Sequence, residues 1–148
     1  MCTNIKTTDY LVLNTANANL IASTSETVFV FDINNLNYDY DLCTLELVRC
    51  VIEDTSTSLI SSQIKGLVKL YSNIQTLNVF SNEAGLVGVF ERYEYVGDIL
   101  ETKHIPILTK CHPPRGSVKF FLKNSSDVVF ADTNVNNISL VFKITYES

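Results

Sequence analysis

The sequence predicts an all-β, two-sheet antiparallel sandwich, with residues 1–148 forming a single β-sandwich domain. Three observations carry this. Short runs rich in Val, Ile, Leu, Phe and Tyr are separated by Asn, Asp, Ser and Thr clusters, which is the punctuation of strands and turns. Several runs alternate apolar and polar residues with period two, the mark of a half-buried strand. The segments between them hold no long amphipathic helix. At 46% hydrophobic and 18% charged residues, the chain can fill one core, and a net charge of only −5 argues against disorder. That acidic balance also argues against a nucleic-acid binder, which would need a basic face.

Eight runs read as strands. The first is Asp9 to Thr15. The second, Thr27 to Ile33, is apolar on both faces, with Phe29, Phe31 and Ile33 against Val28 and Val30. It suits a central strand whose outer face is covered, either by the chain or by a partner. The third runs from Cys43 to Ile52, setting Leu45, Leu47 and Val51 against Thr44, Glu46 and Cys50, with Arg49 interrupting the apolar row. The fourth is Gly66 to Ile74, the fifth Leu86 to Tyr95 and the sixth the short His104 to Thr109. The seventh, Ser117 to Asn124, places Val118, Phe120 and Leu122 opposite Ser117, Lys119, Phe121 and Lys123. The last, Asn137 to Tyr146, is the most regular: Ile138, Leu140, Phe142, Ile144 and Tyr146 share one face. Ser56 to Lys65 could form one short helical turn, and Thr76 to Ser81 one extra short strand. Eight short strands with turn signals suggest a jelly roll, and an immunoglobulin-like sandwich fits the same periodicity.

Candidate chemistry is sparse. Cys43 and Cys50 lie seven apart in one run, which on strict alternation puts them on opposite faces. With Cys2 and Cys111 they read as small buried hydrophobes. His104, Cys111 and His112 are the one concentrated set of soft ligands, but adjacent residues rarely both reach one ion. With Pro113 and Pro114 beside them, an exposed, rigid contact loop is the better reading of Lys110 to Gly116. Asp32 to Asp41 is dense in oxygen ligands and could hold calcium. It lacks the central glycine of an EF-hand loop, and an Asx-rich turn explains the same residues. Glu91 and Glu94 are three apart in a strand, hence on opposite faces, which does not suit a two-carboxylate mechanism. Neither a G-x-S-x-G elbow nor a Gly-rich phosphate loop is present. No catalytic, cofactor or metal residue is assigned, and the chain does not read as an enzyme. Lys103, Lys110, Arg115, Lys119 and Lys123 form a mild basic enrichment that solvated strand faces explain, or that an acidic neighbour could meet.

Met1 to Lys6 lacks the basic-then-apolar pattern of a secretory signal, and no apolar run approaches the roughly 18 residues of a membrane span. The Asn124-Ser125-Ser126 and Asn137-Ile138-Ser139 triplets fit the glycosylation pattern, and without a secretory route they read as chance matches.

The order of several motifs resembles jelly-roll capsid proteins of the penton or minor capsid type, like those of polinton-type elements and virophages. Val28 to Ile33, an Asn-rich turn, then Tyr38-Asp39-Tyr40-Asp41-Leu42 and Thr44 to Leu47 are similar to their opening strands. Val68-Lys69-Leu70-Tyr71-Ser72-Asn73-Ile74 resembles their "tyr-x-asn-ile" strand. Tyr95-Val96-Gly97-Asp98 resembles their "val-gly-asp" turn, though its place after the fifth run departs from the family pattern. Lys119 to Asn124, Val129-Phe130 and Ile138 to Tyr146 resemble the closing strands.

The chain is too short for a double jelly roll, so the resemblance implies one jelly roll in a virion, assembled inside a host cell. It implies a homo-oligomer, a pentamer for a vertex or a trimer for a spike or cement role, packed against other capsid proteins. A receptor- or glycan-binding head domain and a non-viral intracellular interaction module are the rival readings. The low charge and surplus apolar residues of Thr27 to Ile33 and Leu86 to Tyr95 predict a surface covered by other subunits.

Overall fold

A computed structural model describes residues 7–14, 19–22, 27–54, 67–75, 77, 85–96, 99–105, 107–123 and 135–147. The described strands are β1 (Thr8–Asn14), β2 (Asn19–Ala22), β3 (Thr27–Ile33), β4 (Leu42–Asp54) and β5 (Leu67–Ser72). They continue with β6 (Leu86–Val96), β7 (Ile99–Ile105), β8 (Leu108–Cys111), β9 (Gly116–Lys123) and β10 (Val135–Glu147). Every pairing among them is antiparallel. The protein is all-β, two antiparallel sheets packed as a sandwich. One hydrogen-bonded path, β1-β10-β4-β7-β6-β5-β9-β3-β2, runs through both layers, with β8 also paired to β4. One layer is β1, β10, β4 and the β7–β8 pair; the other is β6, β5, β9, β3 and β2. β7 joins them by pairing β4 on one side and β6 on the other.

The pairing is nested. With β2 taken as an annex of β3 and β7–β8 as one interrupted strand, eight strands remain. The first pairs with the last (β1–β10), the second with the seventh (β3–β9), the third with the sixth (β4 with β7 and β8) and the fourth with the fifth (β5–β6). The sixth sequence run, His104 to Thr109, thus straddles two elements. Pro106 stands between them in the sequence. β2 was not foreseen. The Ser56 to Lys65 turn lies outside the described residues, as does Thr76 to Ser81 except Leu77, whose N–H donates to the Lys110 carbonyl at 2.7 Å.

The core follows the alternation. Ile138, Leu140, Phe142, Ile144 and Tyr146 of β10 are all buried, as are Val118, Phe120 and Leu122 of β9. Phe120 ties the layers together. It stacks on Phe29 at 6.0 Å within its sheet and on Phe142 of the facing sheet at 5.8 Å. Such aromatic pairs add about 0.5–1.5 kcal/mol each beyond their area burial. Gly88 lets the corner close: a Cβ there would sit 2.6 Å from Leu47 Cδ2.

β4 departs from strict alternation, and this corrects the reading of the third run. Its register with β10 shifts between Val141 and Phe142, which oppose Arg49 and Leu47, so Val48 is an extra residue. That bulge reverses the parity. Cys43, Leu45 and Leu47 point inward before it, and Cys50 and Ile52 after it. Cys43 and Cys50 therefore both face the core rather than opposite sides. Arg49 is exposed beside the bulge and does not interrupt the apolar row, and Val51 turns outward, half-buried.

Candidate functional site

Three connections meet at one end of the sandwich: Asn34–Asp41 between β3 and β4, His112–Arg115 between β8 and β9, and Asn73–Gln75 after β5. The nested pairing makes this unavoidable, because β3–β9 and β4–β8 are neighbours whose ends carry the first two loops. The Asx-rich turn of Asn34 to Asp41 and the contact loop read from Lys110 to Gly116 thus form one surface.

Polar and aromatic contacts fix their mutual position. The Tyr38 hydroxyl donates to the Pro114 carbonyl at 2.9 Å. The Arg115 guanidinium lies 4.9 Å from the centre of the Tyr38 ring. His112 Nδ1 is 2.7 Å from the Asp41 carbonyl oxygen, so that nitrogen carries the proton and donates. The buried Tyr146 hydroxyl accepts from the Asn37 N–H at 3.0 Å, and its ring packs on Tyr40 at 5.3 Å. Burial raises the Tyr146 phenol above its ordinary value, opposed by the Asn37 hydrogen bond. Asn37 Oδ1 accepts from the Asp39 N–H at 3.1 Å, an Asx turn of the kind the Asn/Asp density predicted. Asn73 anchors the third loop reciprocally. Its Oδ1 accepts from the Lys119 N–H at 2.9 Å, and its N–H donates to the Lys119 carbonyl. Between the last two loops lies a cleft of about 250 Å³ whose walls include Asn73, Gln75, His112, Pro113 and Arg115.

The structure separates the proposed soft-ligand set. Cys111 is buried against Cys43, while His112 is exposed at the loop. His104 Nε2 accepts the Cys50 N–H at 3.1 Å. It does so in the gap where β4 leaves β8 and has not yet met β7. Desolvation, then the neighbouring Arg49 charge, lowers the His104 pKa and keeps the ring neutral. Asp32, Asp39 and Asp41 are exposed, and among the described residues no three His, Cys, Asp or Glu gather as a metal site. Cys43, Cys50 and Cys111 are buried thiols, as expected of small hydrophobes, and Cys2 lies outside the described residues. Glu91 is exposed, and the Glu94 side chain lies outside the described residues. Four of the five basic residues meet their own chain: Arg115 sits on Tyr38, Lys110 Nζ is 3.6 Å from Glu147, Lys119 lies over Phe121 and Lys123 over Tyr71.

Sequence reasoning missed Tyr38, Arg115 and Tyr146 as the residues that join the loops, since long-range partners leave no local signature. It also missed the edge strip on β1, where Tyr10 is 59% and Val12 65% exposed. β1 ends the strand path, so its outer edge carries backbone groups unpaired by any described strand. Beside it, β1 and the end of β3 flank a cleft of about 230 Å³. The arrangement suits contact with another surface. No protein-family model matches this chain, and no curated protein matches its sequence.

Proposed function

We propose that this protein is a structural virion component, a single jelly-roll capsid protein of penton-like or minor capsid type that acts through self-assembly. The nested strand pairing carries the reading, since pairing first with last and inward is how an eight-stranded jelly roll is wound. Further support comes from the order of the capsid-like motifs along the chain and from the edge of β1 that no described strand pairs, with exposed Tyr10 and Val12. An edge left without a strand partner favours association when apolar side chains stand beside it, and closed cyclic symmetry limits such association to a finite ring. Light scattering of the pure protein tests the proposal. A mass of three or five times the 16.6 kDa chain is expected, and a strict monomer at high concentration overturns it.

A receptor- or glycan-binding head is the second reading, favoured by the cleft that Asn73, Gln75, His112 and Arg115 help to line. Those side chains offer the hydrogen bonding that a hydroxylated or anionic ligand needs. Glycan-array binding lost on Arg115→Ala, with the loops still folded, would select it over assembly.

A further inference from the structure

Two strand ends in one sheet bring a pair of thiols into contact. Cys43 near the start of β4 is the direct cross-strand partner of Cys111 at the end of β8. Their sulfurs are 3.7 Å apart, and both side chains are fully buried. Directly opposed residues of an antiparallel pair have Cα atoms about 4.5 or 5.5 Å apart, whichever kind of pair they form. Both values fall inside the roughly 4.4–6.8 Å that a disulfide spans. The spacing of the strands is therefore one a disulfide can span, and the sulfurs need to close from 3.7 Å to about 2.05 Å. Cys50, on the same strand and equally buried, faces Leu140 instead.

We propose that Cys43 and Cys111 are a disulfide-forming site, oxidised by a small disulfide such as oxidised glutathione, and that the bond staples β8 to β4. The reduced thiols share a hydrogen bond that lowers Cys43 and, together with burial, raises Cys111. Either sulfur can donate in that bond, and the exchange begins when one of them, here Cys43, loses its proton. Its thiolate attacks one sulfur of the oxidant and expels one small thiol, leaving a mixed disulfide. Cys111 then releases its proton and attacks the Cys43 sulfur, expelling the second small thiol. The protein gives up two protons and two electrons, and the oxidant takes both up as two thiols.

Entry of the oxidant needs β8 to open, breaking its ladder with β4 and the bond from the Leu77 N–H to the Lys110 carbonyl. β8 has four residues, and its ladder is with β4 alone among the described strands. Thr109 Oγ1 is buried within it without a hydrogen-bond partner among the described residues. Closing a loop between residues 68 apart restricts the unfolded chain strongly, so oxidation raises stability. It also fixes the strand that leads into His112–Arg115.

The test uses the full chain carrying Cys2→Ser and Cys50→Ala, which leaves this pair as the only thiols. The folded protein is incubated with oxidised glutathione, quenched with an alkylating agent in denaturant and mapped by mass spectrometry. One intramolecular link between positions 43 and 111 is expected, with a melting midpoint several degrees higher that returns on reduction. Two alkylated cysteines, glutathione adducts alone, a link between chains, or a link that leaves the midpoint unmoved would each overturn the proposal. Should the double variant fold poorly, the same mapping on the natural chain decides, with Cys50 expected as a free thiol. Cys43→Ser abolishes the rise in midpoint.

Discussion

The two outer faces of the sandwich begin from similar alternating strands and end differently. Over β5, β6 and β9, outward-pointing Tyr71, Leu86 and Val89 are buried, with Ile107 and Phe121 packed on them. Tyr71 stacks on Phe121 at 5.5 Å, and the Lys123 ammonium lies 4.6 Å from the centre of the Tyr71 ring. The chain makes this apolar layer for itself. Over β1, β10 and β4 the cross-strand neighbours are largely polar: Asn14 with Ser139, Lys143 with Glu46, and Thr145 with Thr44. There Tyr10 and Val12 stand exposed at the sheet edge. An apolar residue on an outer face is thus no evidence of a partner until the chain's own cover is known. The surplus apolar residues of Leu86 to Tyr95 serve an internal satellite cluster in part, and the β1 edge, which no described strand covers, is the better candidate for contact.

The contrast can be broken by substitution. Leu86→Ala on the self-covered face should cost about 2–4 kcal/mol, read as a lower urea midpoint at unchanged slope. A loss well below that would mean the face is not packed. At the corner joining the two sheets, Gly88→Ala must push a Cβ into Leu47 and should cost about 1–3 kcal/mol by the same measurement.

The corner should also be pH-sensitive through His104. Its pKa is lowered in the folded state by burial and Arg49, whereas the unfolded chain binds a proton at the ordinary 6.5. The unfolded state therefore holds more protons as pH falls, and the contribution present above 6.5 is lost below it. Urea midpoints should drop on acidification, and His104→Gln, which can still accept the Cys50 N–H, should flatten that drop.

Smaller effects sharpen the comparison. Lys123→Ala removes the cation from over the buried Tyr71 ring and should cost about 0.5–1 kcal/mol. On the bare face, Val12→Asp should change stability by no more than about 0.5 kcal/mol. The same variant should reduce the oligomeric mass seen by light scattering. A stable variant of unchanged mass would remove the β1 edge from the contact.

Period-two alternation made β9 and β10 legible almost residue for residue, because a side chain's face in a regular strand depends only on counting. The same counting misplaced Cys50 and Arg49. A bulge arises from how β4 must bend against β10, and no single residue in Leu47-Val48-Arg49 announces it. The two contact loops were legible as Asn/Asp- and Pro-rich turns. Their union through Tyr38, Arg115 and His112 was not, because it follows from which strands become neighbours.

The sequence by itself determined that this chain is an all-β sandwich and which residues of its most regular strands fill the core. It did so because burial on one face of a pleated strand leaves a local pattern of period two. The tertiary structure alone decided the nesting of the strands and the parity reversal at Val48. It alone decided the meeting of Cys43 with Cys111 and which apolar surface the chain covers itself. Those are contacts between residues far apart in the chain, and their partners are chosen by the geometry of the whole sandwich rather than by neighbouring side chains.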